Sequence, residues 1–158
     1  MGLDQYLYAN KYTCSNTFGE DSWKKMNDEF QQLKTIIGDD AKYLDKDLPS
    51  IALQMKIGYW RKANQIHQWF VDNCQNGEDN CRESYVSREQ LEELLGTVRE
   101  VLADHSKASE LLPTQEGFFF GSNEYDEYYF QDLEHTKKVI KNALSMPKEW
   151  NFAYQSSW

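Results

Sequence analysis

Tyr59, Trp60, Arg61 and Lys62 stand in a row, with Asn64 and His67 just behind them. Flat rings beside a guanidinium and an ammonium suit one chemistry well. A ring stacks on a base, while Arg61 grips a phosphate or carboxylate through two parallel hydrogen bonds. A second cluster runs from Leu112 to Phe130. There Gly117 and Gly121 bracket three Phe, Phe119 among them, and Ser122, Tyr125, Asp126 and Tyr128 follow. Glycine permits close backbone approach, and the carboxylates could bind ribose hydroxyls, a base edge or a cation. A core needs rings alone, whereas a recognition pocket needs rings with a few placed polar groups. These eleven residues, from Tyr59 to Tyr128, are therefore the candidate ligand-binding site. The plainer alternative is a buried Trp60, a surface Arg61 and a hydrogen-bonded His67.

Signs of catalysis are weaker. His67 has neither a Ser nor a Cys nucleophile nearby in a known motif, and His105 and His135 are scattered. No pair of His stands at metal-binding helical spacing, and there is no phosphate-binding glycine loop, dinucleotide fingerprint or nucleophile elbow. No metal, cofactor or catalytic residue is assigned. Cys14, Cys74 and Cys81 are odd in number and no stretch reads as a signal peptide, so reduced cytosolic thiols are expected. A Cys74–Cys81 bridge across the polar loop between them is geometrically open.

Short strands and amphipathic helices must position these groups. Leu3–Tyr12 alternates as a strand, with Leu3, Gln5, Leu7 and Ala9 on one face and Asp4, Tyr6, Tyr8 and Asn10 on the other. Thr17 and Glu20 are spaced as a capping box for a helix over about 20–37, ended by Gly38. Its stripe is Trp23, Met26, Phe30, Leu33 and Ile37. An acidic loop leads to a strand over 51–59, with Leu53, Met55, Ile57 and Tyr59 on one face. A helix then spans about 61–75, burying Ala63, Ile66, Phe70 and Asn73 with Trp69 beside them. Asn64, Gln65, His67 and Gln68 point away from that stripe, and Arg61 and Lys62 reinforce the positive field of the first turn.

A short strand falls within 82–86. Ser87 and Gln90 cap a helix over about 88–105 that carries Leu91, Leu94, Leu95, Val98 and Leu102. Gly117–Gly121 forms a short strand or tight loop. A last helix, over about 124–145, is capped by Ser122 or Asn123. A final strand over 150–158 sets Phe152 and Tyr154 opposite the first strand. The expectation is one α+β domain with about four helices and a small mixed or antiparallel sheet.

Charge narrows the partners. The chain of 158 residues carries a formal net charge of −9. Residues 76–134 hold fifteen Asp and Glu against four Lys and Arg, a local net of −11. That field opposes a nucleic-acid backbone. A small anion needs only two or three local cations, and an acidic surface could face a basic protein. No apolar run approaches the roughly 20 residues of a membrane helix. Self-association stays open.

The chain resembles a family of small proteins found in phages and prophages. The likeness rests on the start Met1-Gly-Leu-Asp-Gln-Tyr-Leu-Tyr-Ala9 and on Gly58-Tyr-Trp-Arg-Lys-Ala-Asn-Gln-Ile-His-Gln-Trp-Phe-Val71. It extends through Leu112-Pro-Thr, Gly117-Phe-Phe-Phe-Gly-Ser122 and Tyr125-Asp-Glu-Tyr-Tyr-Phe130 to the ending Tyr154-Gln-Ser-Ser-Trp158. The resemblance implies a mobile-element accessory protein in the cytoplasm of a bacterial host. Such proteins often act on host defence. Three readings follow: sequestration of a small nucleotide-like ligand, occlusion of a host defence effector by a DNA-mimicking acidic surface, and, last, hydrolysis of a nucleotide.

Overall fold

The structure, a computed structural model, describes residues 2–15, 21–117 and 120–158. Four strands, β1 (Asp4–Cys14), β2 (Ser50–Arg61), β3 (Ser84–Val86) and β4 (Asn151–Ser157), form an antiparallel sheet in the order β2-β1-β4-β3. The helices are α1 (Asp21–Ile37), α2 (Asn64–Cys74), α3 (Arg88–Ala103), α4 (Ala108–Leu111) and α5 (Glu127–Ser145). The α+β class is as expected, with five α-helices among the described residues where about four were expected. By compactness the chain falls into two units, 1–9 with 55–158, and 10–54.

The larger unit holds the main core. Leu7 and Ala9 of β1, Phe152 and Tyr154 of β4, Ile66 and Phe70 of α2, Leu91, Leu94 and Val98 of α3, and Leu133 and Ile140 of α5 are all buried there. Alternation in β1 is as the sequence predicts, with Leu3, Gln5, Leu7 and Ala9 buried and Tyr6 and Tyr8 half-buried. Phe152 sits opposite Val86 and Tyr154 opposite Ser84 in the β3–β4 pair. Phe70 and Tyr154 stack with centroids 4.0 Å apart, which joins α2 to the sheet. The Ser87 capping box forms as predicted. Ser87 Oγ accepts from the Gln90 N–H, and the Gln90 side chain accepts from the Ser87 N–H.

The alternation of β2 departs from the prediction. Ile51, Leu53 and Ile57 are half-buried, but thereafter Gly58 and Trp60 are buried and Tyr59 is exposed. Gly58 shows why α5 can lie so close. A Cβ there would stand 2.6 Å from Val139 Cγ1 and 3.1 Å from Leu7 Cβ. Trp60 then turns inward and donates its Nε1–H to Thr136 Oγ1 at 2.8 Å.

In the smaller unit, Phe30 is the buried member of the α1 stripe, and Ile37 at its end is exposed. Lys11 pairs with Glu29 at 2.7 Å. Thr13 Oγ1 donates to the Ile51 carbonyl at 3.2 Å. Gly38 takes φ +63°, as a helix terminator should, but a 3-10 turn, Gly38–Tyr43, replaces the first half of the predicted loop. The Thr17–Glu20 capping box lies outside the described residues. Among the described residues no helix is long and apolar enough to cross a membrane, and Cys14, Cys74 and Cys81 are free thiols.

Candidate ligand-binding site

The corner after β2 is sharper than the sequence suggests. Arg61 ends the strand, and the Lys62 N–H donates to the Leu3 carbonyl at 2.8 Å, so it still belongs to the sheet edge. Lys62 then takes φ +63°, a left-handed conformation that turns the chain. Helix α2 begins only at Asn64, with Ala63 as its N-cap. This corrects the prediction of a helix opening near Arg61: the first-turn N–H groups start three residues later. Those of Ile66 and His67 both donate to the Ala63 carbonyl.

Asn64 draws the second segment in. It is almost fully buried. Its Nδ2 donates to the carbonyls of Phe120 at 3.1 Å and Ser122 at 2.9 Å, while its Oδ1 accepts from the Gln115 N–H at 2.9 Å. One amide therefore ties Gln115, Phe120 and Ser122 to the start of α2. Gly121 completes the join at φ +93°, where a Cβ would stand 3.0 Å from Lys62 Cβ and 3.2 Å from the Lys62 carbonyl oxygen. The Lys62 stem also lies against Gly2, whose own Cβ would stand 3.2 Å from Lys62 Cε. The cap of α5 is Asp126, whose Oδ1 accepts from the Tyr129 N–H at 3.1 Å, rather than the predicted Ser122 or Asn123. Ser122 Oγ instead accepts from the Glu124 N–H at 3.1 Å.

Where the two segments meet, a cavity of about 340 Å³ opens. Arg61, Lys62, Ser122, Asp126 and Tyr128, all picked out from sequence, line it together with Gln65, Gly121, Glu124 and Asp132. Tyr128 offers a largely exposed ring. Two of its polar lining groups, Gln65 and Asp132, were missed by sequence reasoning. Gln65 is only 3% exposed, and its Nε2 meets no acceptor at full hydrogen-bonding distance among the described residues, with the Asp132 carboxyl near enough to feel it. Burial pushes the Asp132 carboxyl up to about 6, with the Gln65 amide and His135 opposing part of the rise.

The other predicted residues lie elsewhere. Trp60 is core. Tyr59 sits on the outer face of the sheet beside Tyr6, its hydroxyl donating to Asp4 Oδ1 at 2.5 Å, and that bond raises the phenol's pKa. Tyr125 packs on Tyr129 and its hydroxyl accepts from the Thr114 N–H at 3.3 Å. Phe119 lies outside the described residues. His67 is buried, and so are Asn64 and Gln65, which corrects the expectation that these side chains point away from the core. Its Nδ1 lies 2.8 Å from the Tyr154 hydroxyl and its Nε2 2.9 Å from Asp79 Oδ2. Tyr154 in turn donates to Gln5 Oε1 at 3.1 Å. This chain satisfies buried polar groups and holds His67 away from solvent. Asn73, expected in the apolar stripe of α2, is exposed.

One signal in the sequence could have found Asp132. It lies four residues after Tyr128 and four before Thr136, on the same face of α5 as both. Gln65 carried no comparable mark. No protein-family model matches the chain, and neither the curated proteins nor the solved structures contain a significant match.

Proposed function

We propose that the protein binds and sequesters a small nucleotide-like ligand in this cavity, as a phage accessory protein that removes a signal used by host defence. The observation that carries the reading is the convergence of Arg61 and Lys62 with Ser122, Asp126 and Tyr128 around one cavity, although about sixty residues separate the two segments. Its volume falls at the small end of the roughly 300–1,000 Å³ typical of ligand pockets. Arg61 supplies a bidentate phosphate grip and Lys62 a point charge, while Tyr128 offers a stacking face. The test is to incubate purified protein with bacterial nucleotide extract, denature it and identify what is released by mass spectrometry. A released nucleotide, lost or reduced ten- to a hundredfold in Arg61→Ala, is expected. Failure to recover any nucleotide from extracts rich in such signals refutes it.

A second reading has its own observation. Helix α3 exposes Glu89, Glu92, Glu93 and Glu100, a carboxylate-rich face suited to covering a basic surface on a host effector. A pull-down from host lysate at low salt that enriches no basic protein removes this reading, and Arg61→Ala leaves it untouched.

A further inference from the structure

Resting on the sequestration reading, we infer that the ligand is a mononucleotide whose phosphate is a diester, carrying one negative charge, with its phosphate at Arg61 and Lys62 and its base edge on Gln65 and Asp132. Three observations converge on it.

The first is the floor of the cavity. Gln65 is nearly fully buried, and its Nε2 meets no acceptor at full hydrogen-bonding distance among the described residues, although it stands near enough to Asp132 to lower that carboxyl's pKa. A buried amide donor held short of its neighbouring acceptor gains from an acceptor that enters the cavity. Asp132 stands beside it on α5 as an acceptor. A donor next to an acceptor is complemented by an acceptor next to an N–H, and the hydrogen-bonding edge of a nucleobase presents that pair.

The second is charge. The walls set Arg61 and Lys62 against Glu124, Asp126 and Asp132. Two cations at one rim can match one phosphate charge. The three carboxylates oppose a ligand that brings three or four charges into the same space. A diester keeps the phosphate and sheds the excess charge.

The third is size and shape. About 340 Å³ accommodates one base, sugar and phosphate rather than two linked nucleotides. The Lys62 stem runs between Gly2 and Gly121 on the cavity wall.

Isothermal titration of the full chain with the four 3′,5′-cyclic mononucleotides, with AMP and ATP, and with inorganic phosphate tests the inference. At least one cyclic mononucleotide is expected to bind tenfold or more tightly than ATP and inorganic phosphate. Gln65→Met and Asp132→Leu should each weaken that cyclic probe at least tenfold. Asp132→Leu should not weaken ATP, because it removes a repelling charge. Each variant is checked by circular dichroism and thermal melting, and Asp132→Leu decides the matter if Gln65→Met does not fold. ATP binding as tightly as every cyclic probe overturns the inference and leaves sequestration standing. So does unchanged affinity for the cyclic probe in the folded floor variants. Binding by none of the nucleotides, with none released from the denatured protein, refutes sequestration and the inference together.

Discussion

The Asn64 side-chain amide donates to the Ser122 carbonyl oxygen at 2.9 Å, tying the start of α2 to the approach of α5. A ligand reading of Asn64 and a positioning reading make different demands. Both of its side-chain atoms are already engaged, by Phe120, Ser122 and Gln115, so its contribution is to hold the walls of the cavity together.

Asn64→Ala should therefore cost about 2–4 kcal/mol in urea unfolding, because it strands two carbonyls and an N–H that it now satisfies. Asn64→Asp should not rescue the loss. It keeps the acceptor for Gln115 but turns a second oxygen toward the Phe120 and Ser122 carbonyls. An Asp variant as stable as the parent would refute the clamp.

Gly121→Ala and Gly96→Ala should move stability in opposite directions. At Gly121 a methyl meets Lys62 within 3.0–3.2 Å on a backbone with φ +93°, so a loss of about 1–3 kcal/mol is expected. At Gly96, on the exposed face of α3, a methyl meets nothing within 4 Å and helix propensity favours alanine, so a gain of about 0.4–1 kcal/mol is expected. Thermal melts of the two variants settle the comparison.

Asp132 gives the fold a pH dependence of its own. Its carboxyl titrates at about 6 in the folded protein, above the usual value of 3.8. Between those values the folded state binds more protons than the unfolded state. Stability contributed at this position therefore falls as pH rises from about 4 through 6. Asp132→Asn should stabilise the protein by about 1–2 kcal/mol at pH 7.5, allowing for partial exposure of the group, and by little at pH 4. Urea midpoints across that range report the difference, and an equal effect at both pH values would contradict it.

The buried relay of Gln5, Tyr154, His67 and Asp79 predicts a structural penalty without a binding one. Tyr154→Phe removes the hydroxyl between Gln5 Oε1 and His67 Nδ1 and should cost about 1–3 kcal/mol. Nucleotide recovery per folded molecule should be unchanged. A large drop in recovery at unchanged stability would instead draw His67 into the site.

What could be read from the sequence was local. The Ser87 capping box needs only residues three apart, and the β1 alternation needs only a period of two; both formed as written. The misreadings share one cause. Asn64, Gln65 and His67 are polar, so helical periodicity assigned them to solvent, but partners for Asn64 and His67 arrive from 12 to 87 residues away and make burial tolerable. Tyr59 and Trp60 exchanged faces because Gly58 admits α5 against the strand, a close approach that no local pattern encodes. Half of the candidate site was visible as Arg61, Lys62, Ser122, Asp126 and Tyr128. Its floor, Gln65 with Asp132, exists only once α2 and α5 are packed.

The place of β4 in the sheet has a kinetic consequence. It lies between β1 and β3, so the first-made and third-made strands have no shared neighbour until residues 151–157 arrive. It also brings Tyr154, which fills the space against Phe70 and completes the contact of His67. During synthesis the chain must therefore hold its helices with β1 and β3 lacking the strand between them, and closure of the sheet is a late, long-range event. Slowed or shortened translation would leave this protein with its interior open, at the stage when chaperones and proteases compete for it.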